Sequence, residues 1–265
     1  MSAAGCRRYL ALKVAYDGTY FHGFQKQPGL RTVQGVLEAC LASLTRSVCP
    51  VKGAGRTDAG VHAKGQVVSF CCEDWPVPVD RVVPALNGAL PEDIAVLAAA
   101  EVPPGFHPRY DAVRKVYRYT IFRRAVRCPL ARLYALHFPG PLDMARLVEA
   151  TDLLVGRHDF RAFQNAGRPV KSAVRTLFTC RVQEDRDFLH FWFAADGFLY
   201  QMVRIIVGTL LEIGRGRLAP AVIDEALKSG ERRLLGPTAP PHGLCLEEVH
   251  YRQELFTGSG GERCL

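Results

Sequence analysis

Residues 51–72 read VKGAGRTDAGVHAKGQVVSFCC, and this stretch contains the pattern on which the fold prediction depends. We predict strands over residues 51–54 and 66–72, with a glycine-rich loop between them. Three glycines within residues 53–60 allow tight turns and a close approach of a ligand to the backbone. The stretch therefore predicts a strand–loop–strand unit that carries Asp58 in its loop.

Strand and helix patterns alternate along the rest of the chain. Short apolar runs bounded by turn residues predict strands at residues 9–15, 94–101, 115–122, 177–183, 188–195 and 244–251. Apolar residues at helical spacing predict helices from Thr32 to about residue 44 and over residues 80–90, 142–155, 198–213 and 221–228. This mixture predicts an α+β fold with mostly antiparallel sheets, in two halves of similar content.

The sequence Pro103-Pro104-Gly105 interrupts both patterns and is the predicted linker. We therefore predict an N-terminal α+β domain over residues 1–104, which contains the Asp58 loop. Residues 105–265 are the predicted C-terminal α+β domain. The two halves share the order of their elements but no residue-level repeat.

The composition is that of a basic globular protein. Apolar residues at 48% and charged residues at 23% exclude a disordered or low-complexity chain. The 265 residues include 34 Lys and Arg against 26 Asp and Glu, a formal net charge of +8. This surplus favours a polyanionic partner, and a basic surface without such a partner is the alternative.

The cysteines and the apolar stretches bear on the compartment. The nine cysteines are scattered without the close spacing of zinc-binding pairs, so we predict free thiols in a reducing compartment. Lys13 interrupts any signal-peptide core near the N-terminus. The longest apolar stretch, residues 198–213, is shorter than the roughly 20 residues that a membrane crossing needs. We expect a soluble, cytoplasmic protein.

Asp58 is the first candidate for chemistry. Its loop lacks the Gly-Lys-Ser/Thr of a phosphate-binding loop, and Asp58 occupies the third glycine position of a Gly-x-Gly-x-x-Gly pattern. A carboxylate at that position would repel a phosphate. Two interpretations stay open at this point: a reactive carboxylate, or an Asx turn in which Asp58 binds its own loop backbone.

Arg204 is the second candidate because it interrupts a helix that is apolar nearly all round. Such a helix is predicted to be buried, and an unpartnered buried charge costs several kcal/mol. Arg204 therefore needs a carboxylate or phosphate partner, in a structural pair or beside a reactive carboxylate. Gly208, one turn later on the same face, leaves room for another backbone or a ligand.

Residues 106–119 interleave aromatic side chains with Arg and Lys, and four more arginines follow before residue 133. Rings and guanidinium groups stack on bases while the charges meet phosphates, so the stretch suits an RNA strand. Strand geometry places Tyr117 and Tyr119 on one face and Arg118 on the other. A solvated edge strand is the alternative.

Two other classes of enzyme fit the sequence poorly. His158 and Asp159, with His62, are compatible with a metal-dependent phosphohydrolase, but the remaining histidines form no cluster at ligand spacing. The sequence also lacks the Gly-x-Ser-x-Gly motif of serine hydrolases. We therefore expect no metal.

A colinear set of motifs resembles the TruA-type tRNA pseudouridine synthase family over roughly residues 9–251. The motifs are YDGT at 16–19, GRTDAGVHA at 55–63, LN at 86–87 with LP at 90–91, KVYRY at 115–119, Gly156 with HDF at 158–160, residues 197–208, TAP at 238–240 and GL at 243–244. The GRTDAGVHA block with the Met-Val-Arg helix is the most specific part of this resemblance.

The resemblance implies a cofactor-free isomerase that converts uridine to pseudouridine at positions 38, 39 and 40, in the anticodon arm of tRNA. It also implies a homodimer of chains with two halves like RNA-recognition domains. In that architecture the strands form a continuous central sheet, the helices pack on one side, and a cleft lies between the halves.

The resemblance also assigns roles to individual residues. Asp58 is the nucleophilic aspartate, Tyr117 stacks on the target base, and Arg204 pairs with the aspartate. Arg56 helps to extrude the nucleotide, and Leu244 lines the uracil pocket. The candidate RNA-binding residues are Lys64, Arg109, Arg114 and Arg118. A non-catalytic RNA-binding module is the alternative function.

Overall fold

The computed structural model describes residues 7–165, 167 and 171–256. The strands, in chain order, are β1 Arg7–Tyr16, β2 Lys52–Gly53, β3 His62–Glu73, β4 Ile94–Glu101, β5 Ala112–Phe122, β6 Leu136–His137, β7 Gly156–Asp159, β8 Val174–Asp185, β9 Phe188–Ala195 and β10 Leu244–Tyr251. The α-helices are α1 Val33–Thr45, α2 Val79–Asn87, α3 Met144–Leu154, α4 Met202–Gly214 and α5 Val222–Ser229. Short 3-10 turns join several of them. The predicted α+β class is confirmed.

Contacts group the described residues into two compact units. Unit 1 comprises the residues up to Val113 together with those from Leu246 onward, and unit 2 comprises Arg114–Cys245. The chain therefore leaves unit 1 within β5 and returns to it within β10. The domain boundary between residues 104 and 105 stays a prediction.

Unit 1 is built on strands in the order β4-β1-β3-β10, with the short β2 paired to β3. Strand β1 is antiparallel to both neighbours, and Leu12 lies opposite Val68 on one side and Ala99 on the other. Thr32 begins α1 as predicted, since its hydroxyl accepts a hydrogen bond from the N–H of Gly35. Both unit 1 helices bury apolar side chains on one face (Val33, Leu37, Cys40 and Leu41 of α1; Val82 and Leu86 of α2).

Unit 2 is built on strands in the order β5-β9-β8-β7, with β6 beside β5. The β5–β9, β8–β9 and β7–β8 pairs are antiparallel, and β5–β6 is parallel. Strands β8 and β9 form the predicted hairpin, and its turn places Arg186 at a φ of 52°. Helices α3 and α5 each bury one apolar face, whereas α4 is buried nearly all round. The predicted antiparallel pairing is therefore confirmed.

The prediction that the apolar helix begins at residue 198 is wrong. Helix α4 begins at Met202 because Gln201 has a φ of 59°, in the left-handed region that ends a right-handed helix. Residues 198–201 therefore approach the helix as a separate turn. Along the described ranges, no helix has both the length and the apolar character needed to cross a membrane.

The predicted free thiols are observed at the seven cysteines that the structure describes. Cys40, Cys49, Cys72 and Cys180 are buried, whereas Cys6 and Cys264 lie outside the described residues. Burial raises the pKa of the Cys72 thiol to about 11 and also raises that of Cys180. These groups are inert as thiols near neutral pH because the reactive species is the thiolate.

We expect Cys72 and Cys180 to resist alkylation in the folded protein. At pH 8 iodoacetamide should label the half-buried Cys71 and Cys128 first, because the raised pKa and the burial keep Cys72 and Cys180 as inaccessible thiols. Peptide mass spectrometry of timed samples measures each site, and a sample in denaturant provides full labelling. Equal labelling rates for Cys71 and Cys72 in the native protein would contradict this assignment.

Candidate active site

Asp58 lies in the loop that joins β2 to β3. The two ends of the loop are fixed by backbone hydrogen bonds, from Ala54 N–H to the Val67 carbonyl at 2.8 Å and from Val61 N–H to the Asp58 carbonyl at 3.2 Å. Within the loop Arg56 is exposed, Thr57 is buried and Asp58 is half-buried. The loop therefore places the Asp58 carboxylate at the surface, while the preceding residue, Thr57, is buried in the core.

Residues 16–24 pack against this loop at distances that only glycine permits. A Cβ at Gly18 would lie 2.0 Å from the Val61 carbonyl oxygen, and one at Gly23 would lie 2.9 Å from the Thr57 carbonyl oxygen. Gly23 also has a φ of 86°, which favours glycine. The N–H of Phe24 donates to the Thr57 carbonyl at 3.1 Å. The two backbones are therefore in direct contact on both sides of Asp58.

The YDGT turn adds polar contacts at the end of the loop. Asp17 forms an Asx turn, since its Oδ1 accepts from the Thr19 N–H at 3.0 Å. The Gly18 N–H donates to Nδ1 of the buried His62 at 3.1 Å. His62, which the metal hypothesis singled out, is thus engaged in supporting the turn.

Arg204 is held by a two-hydrogen-bond bridge within unit 2. Its Nε donates to the Ala239 carbonyl at 2.7 Å, and the Ala239 N–H donates to the Arg204 carbonyl at 3.0 Å. The prediction that this helix is buried is confirmed, since every residue of α4 except Arg204 and Glu212 is buried, and Arg204 itself is half-buried. The acceptor of the Nε hydrogen bond is a peptide carbonyl.

Gly208 permits this bridge, one helical turn after Arg204. A Cβ at Gly208 would lie 1.7 Å from the Pro237 carbonyl oxygen, so no larger residue fits without a shift of the backbone. Gly236 is equally close to the helix, since its Cβ would lie 2.7 Å from the Gly208 carbonyl oxygen. Of the two predicted neighbours of Gly208, another backbone or a ligand, the structure shows another backbone.

Tyr117 and Tyr119 lie on the buried face of β5, and Arg118 lies on the opposite face, as predicted. The Tyr117 ring meets Phe198 edge-on at 5.1 Å between centroids, whereas the Arg118 guanidinium lies 5.6 Å from the centroid of Trp192. The Tyr119 hydroxyl donates to the Pro240 carbonyl at 2.8 Å. Burial raises the pKa of Tyr119, and the charge of Arg204 opposes that shift in part.

The remaining predicted residues divide between the two units. Unit 1 contains Arg56 and Asp58 in one loop, the half-buried Lys64 in β3, and the exposed Arg109 beside the Tyr110 ring. Unit 2 contains Tyr117, Arg204, the buried Leu244, the exposed Arg114 and the half-buried Arg118. Within unit 2, Arg204 and Tyr119 hold the successive carbonyls of residues 239 and 240.

The metal hypothesis gains no support from the described part of the chain. No three His, Cys, Asp or Glu side chains are grouped there as they would be around a metal ion. His158 Nε2 lies 3.1 Å from the Val155 carbonyl. The Arg161 guanidinium hydrogen-bonds Asp159 and lowers the pKa of that carboxyl. Both residues therefore serve local structure.

Sequence reasoning missed the buried polar residues beneath the Asp58 loop. Tyr16, Thr57 and Gln66 are 4%, 6% and 0% exposed, and they are joined by hydrogen bonds to one another or to the loop. One signal was available, since Gln66 is a long polar residue at the start of the mostly apolar predicted strand 66–72. Tyr16 and Thr57 gave no such signal, because their hydrogen bond depends on the packing of distant segments.

The comparisons with known proteins identify the family. A family model described as tRNA pseudouridine synthase matches residues 13–111 and 150–252. The chain belongs to the tRNA pseudouridine synthase family. The matched ranges include Asp58, Arg204 and Leu244, whereas Tyr117 lies between them.

Individual members of the family are similar along nearly their whole length. A protein named tRNA pseudouridine synthase A from Moorella thermoacetica is 49% identical over 244 residues, which are 91% of this chain and 99% of the relative. Its namesakes from Syntrophomonas wolfei and Geobacillus kaustophilus are both 45% identical, over 92% and 93% of this chain and over 98% and 95% of their own lengths.

We expect Gly208→Ala to destabilise the protein even though alanine is the better helix former. Alanine is favoured over glycine in a helix by about 1 kcal/mol, but the collision with Pro237 should outweigh this and lower the free energy of unfolding by about 2 kcal/mol. Urea unfolding measures the change. The control is Gly140→Ala, where the added methyl group meets only the Phe138 ring at 3.8 Å. Unchanged or increased stability of Gly208→Ala would refute the close contact.

Proposed function

We propose that this chain isomerises uridine to pseudouridine in tRNA, with Asp58 as the catalytic carboxylate, at positions 38, 39 and 40 of the anticodon arm. The observation that carries the proposal is the family match across the Asp58 loop, in a chain that is 49% identical to a tRNA pseudouridine synthase A. The loop geometry supports it, because a half-buried carboxylate rests on a closely packed backbone.

The reaction needs no redox step and consumes no water. The bond between N1 of uracil and C1′ of ribose breaks, the uracil turns, and a bond forms between C5 and C1′. The hydrogen at C5 leaves as a proton, and N1 takes up a proton. Asp58 attacks the sugar or the base as a nucleophile, or it removes a proton from the ribose to form a glycal. Both routes use the ionised carboxylate of Asp58.

The other site residues are assigned from the motifs they occupy. Tyr117 stacks on the uracil and Leu244 contacts it, while Arg204 keeps the reacting carboxylate ionised. The bridge to Ala239 supports the role of Arg204, because a guanidinium that is held at Nε has a defined orientation. The exposed Arg56 assists the extrusion of the nucleotide, which costs a few kcal/mol of lost stacking.

The formal net charge of +8 supports binding to the tRNA backbone. Lys64, Arg109, Arg114 and Arg118 are the residues that we assign to this contact. The pairing of Arg109 with the Tyr110 ring provides a cation beside an exposed aromatic face, which suits an unpaired nucleotide. The protein acts in the cytoplasm as a homodimer, as the family resemblance implies.

Asp58→Asn should abolish catalysis while it preserves the fold. We expect tritium release from tRNA labelled at uracil C5 to fall at least about a thousandfold, since the amide is neither a base nor an effective nucleophile. The matched control is Asp80→Asn, at an exposed position in the first turn of α2. Mass spectrometry of nuclease fragments then maps the modified uridines in the wild-type reaction.

Three outcomes would overturn all or part of this proposal. Full activity of Asp58→Asn would remove Asp58 from the mechanism. Wild-type protein that binds tRNA tightly but leaves every uridine unchanged would instead be a non-catalytic RNA-binding module. Pseudouridine outside positions 38, 39 and 40 would overturn the proposed site on the tRNA alone.

Affinity for tRNA should fall steeply with salt, and the basic candidates should contribute to that slope. Each phosphate contact adds about 0.7 to 0.9 to the slope of log K against log salt concentration, so Arg114→Ala should reduce the slope by about that amount. Filter binding between low and moderate salt measures it. Arg81→Ala, at an exposed arginine in α2 beside Asp80, is the control. An unchanged slope for Arg114→Ala would exclude a phosphate contact by that residue.

A further inference from the structure

Three buried polar side chains connect the Asp58 loop to the strands beneath it. The hydroxyl of Tyr16, the last residue of β1, lies 2.8 Å from Oγ1 of Thr57. The Gln66 amide, on β3, donates from Nε2 to the Gly55 carbonyl at 3.0 Å and lies 3.5 Å from the Tyr16 hydroxyl. All three belong to unit 1.

These hydrogen bonds fix the loop at alternate residues. Gln66 holds Gly55, and Thr57 is held twice, through its side chain by Tyr16 and through its carbonyl by the Phe24 N–H at 3.1 Å. The other end of the Gln66 amide is also fixed, since its Oε1 accepts from the Val67 N–H at 3.2 Å. The backbone is thus anchored at the residue directly before Asp58.

Stability alone does not account for this choice of side chains. Buried hydroxyl and amide groups must be desolvated, and apolar groups of the same shape in place of both partners can be nearly neutral in stability. Hydrogen bonds differ from apolar contacts in direction: they allow one arrangement of the partners, whereas apolar side chains slide and repack. The hydrogen-bond network therefore fixes the position of the loop.

We infer that Tyr16, Thr57 and Gln66 are positioning residues that set the location of the Asp58 carboxylate for the reaction. This role rests on the proposed function of Asp58. A carboxylate on a surface loop reacts efficiently only when its distance to the reacting atom is fixed, and a displacement of about 1 Å costs about a hundredfold in rate. The three residues act by holding the loop backbone at residues 55 and 57, and they do not themselves contact the substrate.

The test compares isosteric changes at two buried threonines. Thr57→Val removes the hydroxyl that Tyr16 binds, and we expect single-turnover tritium release to fall about a hundredfold while KM for tRNA changes less than about twofold. Thr57→Ser keeps the hydroxyl and should restore activity to within about threefold of wild type. Thr151→Val is the control, since Thr151 is 2% exposed and its hydroxyl donates within α3, to the Val148 carbonyl.

Tyr16→Phe tests the same hydrogen bond from the other partner and serves if Thr57→Val does not fold. It keeps the ring and should lower the single-turnover rate about tenfold, again without a matching change in KM. Rates for Thr57→Val and Tyr16→Phe equal to that of Thr151→Val would overturn the positioning role. Loss of tRNA affinity instead of rate would also overturn it. Either result leaves the proposed function intact as long as Asp58→Asn is inactive, and an inactive wild type would reject the function itself.

Discussion

The close approach of residues 16–24 to the Asp58 loop is the constraint on which unit 1 depends. Backbone atoms of the two segments meet at Gly18 and Gly23, where any side chain would overlap a carbonyl oxygen. Such contacts leave no room for water, so the polar backbone groups bind each other, as the Phe24 N–H binds Thr57. The loop is long enough to be mobile, and this packing converts it into a fixed support for Asp58.

In unit 2, close backbone contacts at glycines likewise support a charged residue, Arg204. Gly208 and Gly236 bring segment 236–240 against α4, and the bridge between Arg204 and Ala239 forms across that contact. In both units a half-buried charged side chain projects from backbone that glycine contacts hold in place. Half burial suits chemistry, because it restricts the motion of the group without the full desolvation cost of a buried charge.

Strand β5 shows how one segment serves two purposes. Tyr117 and Tyr119 face the core, where the Tyr119 hydroxyl holds the Pro240 carbonyl, while Arg118 faces outward over Trp192. The sequence suggests one continuous RNA-binding stretch of Arg, Lys and Tyr. In the structure, the alternation of side chains along β5 places the tyrosines on one face and Arg118 on the other. The outward-facing basic residues add charge to that face of the strand, whereas the Tyr119 hydroxyl supports the segment that contains Pro240.

The sequence by itself determined the kinds of element and the residues that carry chemistry. Runs of apolar residues predicted β4 and β9 to the residue and also predicted β10, since strand patterns are local. Glycine spacing singled out the Asp58 loop for the same reason. The two-residue β6 and the four-residue β7 were missed, because so few residues show no periodicity.

Only the tertiary structure decided how those residues are held. The start of α4 depends on the left-handed conformation of Gln201, which no local pattern requires. One partner of Arg204 is a carbonyl 35 residues away, and one partner of Thr57 is a tyrosine 41 residues away. Such contacts arise when distant segments pack, so their distances are set by the sheet and its covering helices rather than by neighbours in the chain.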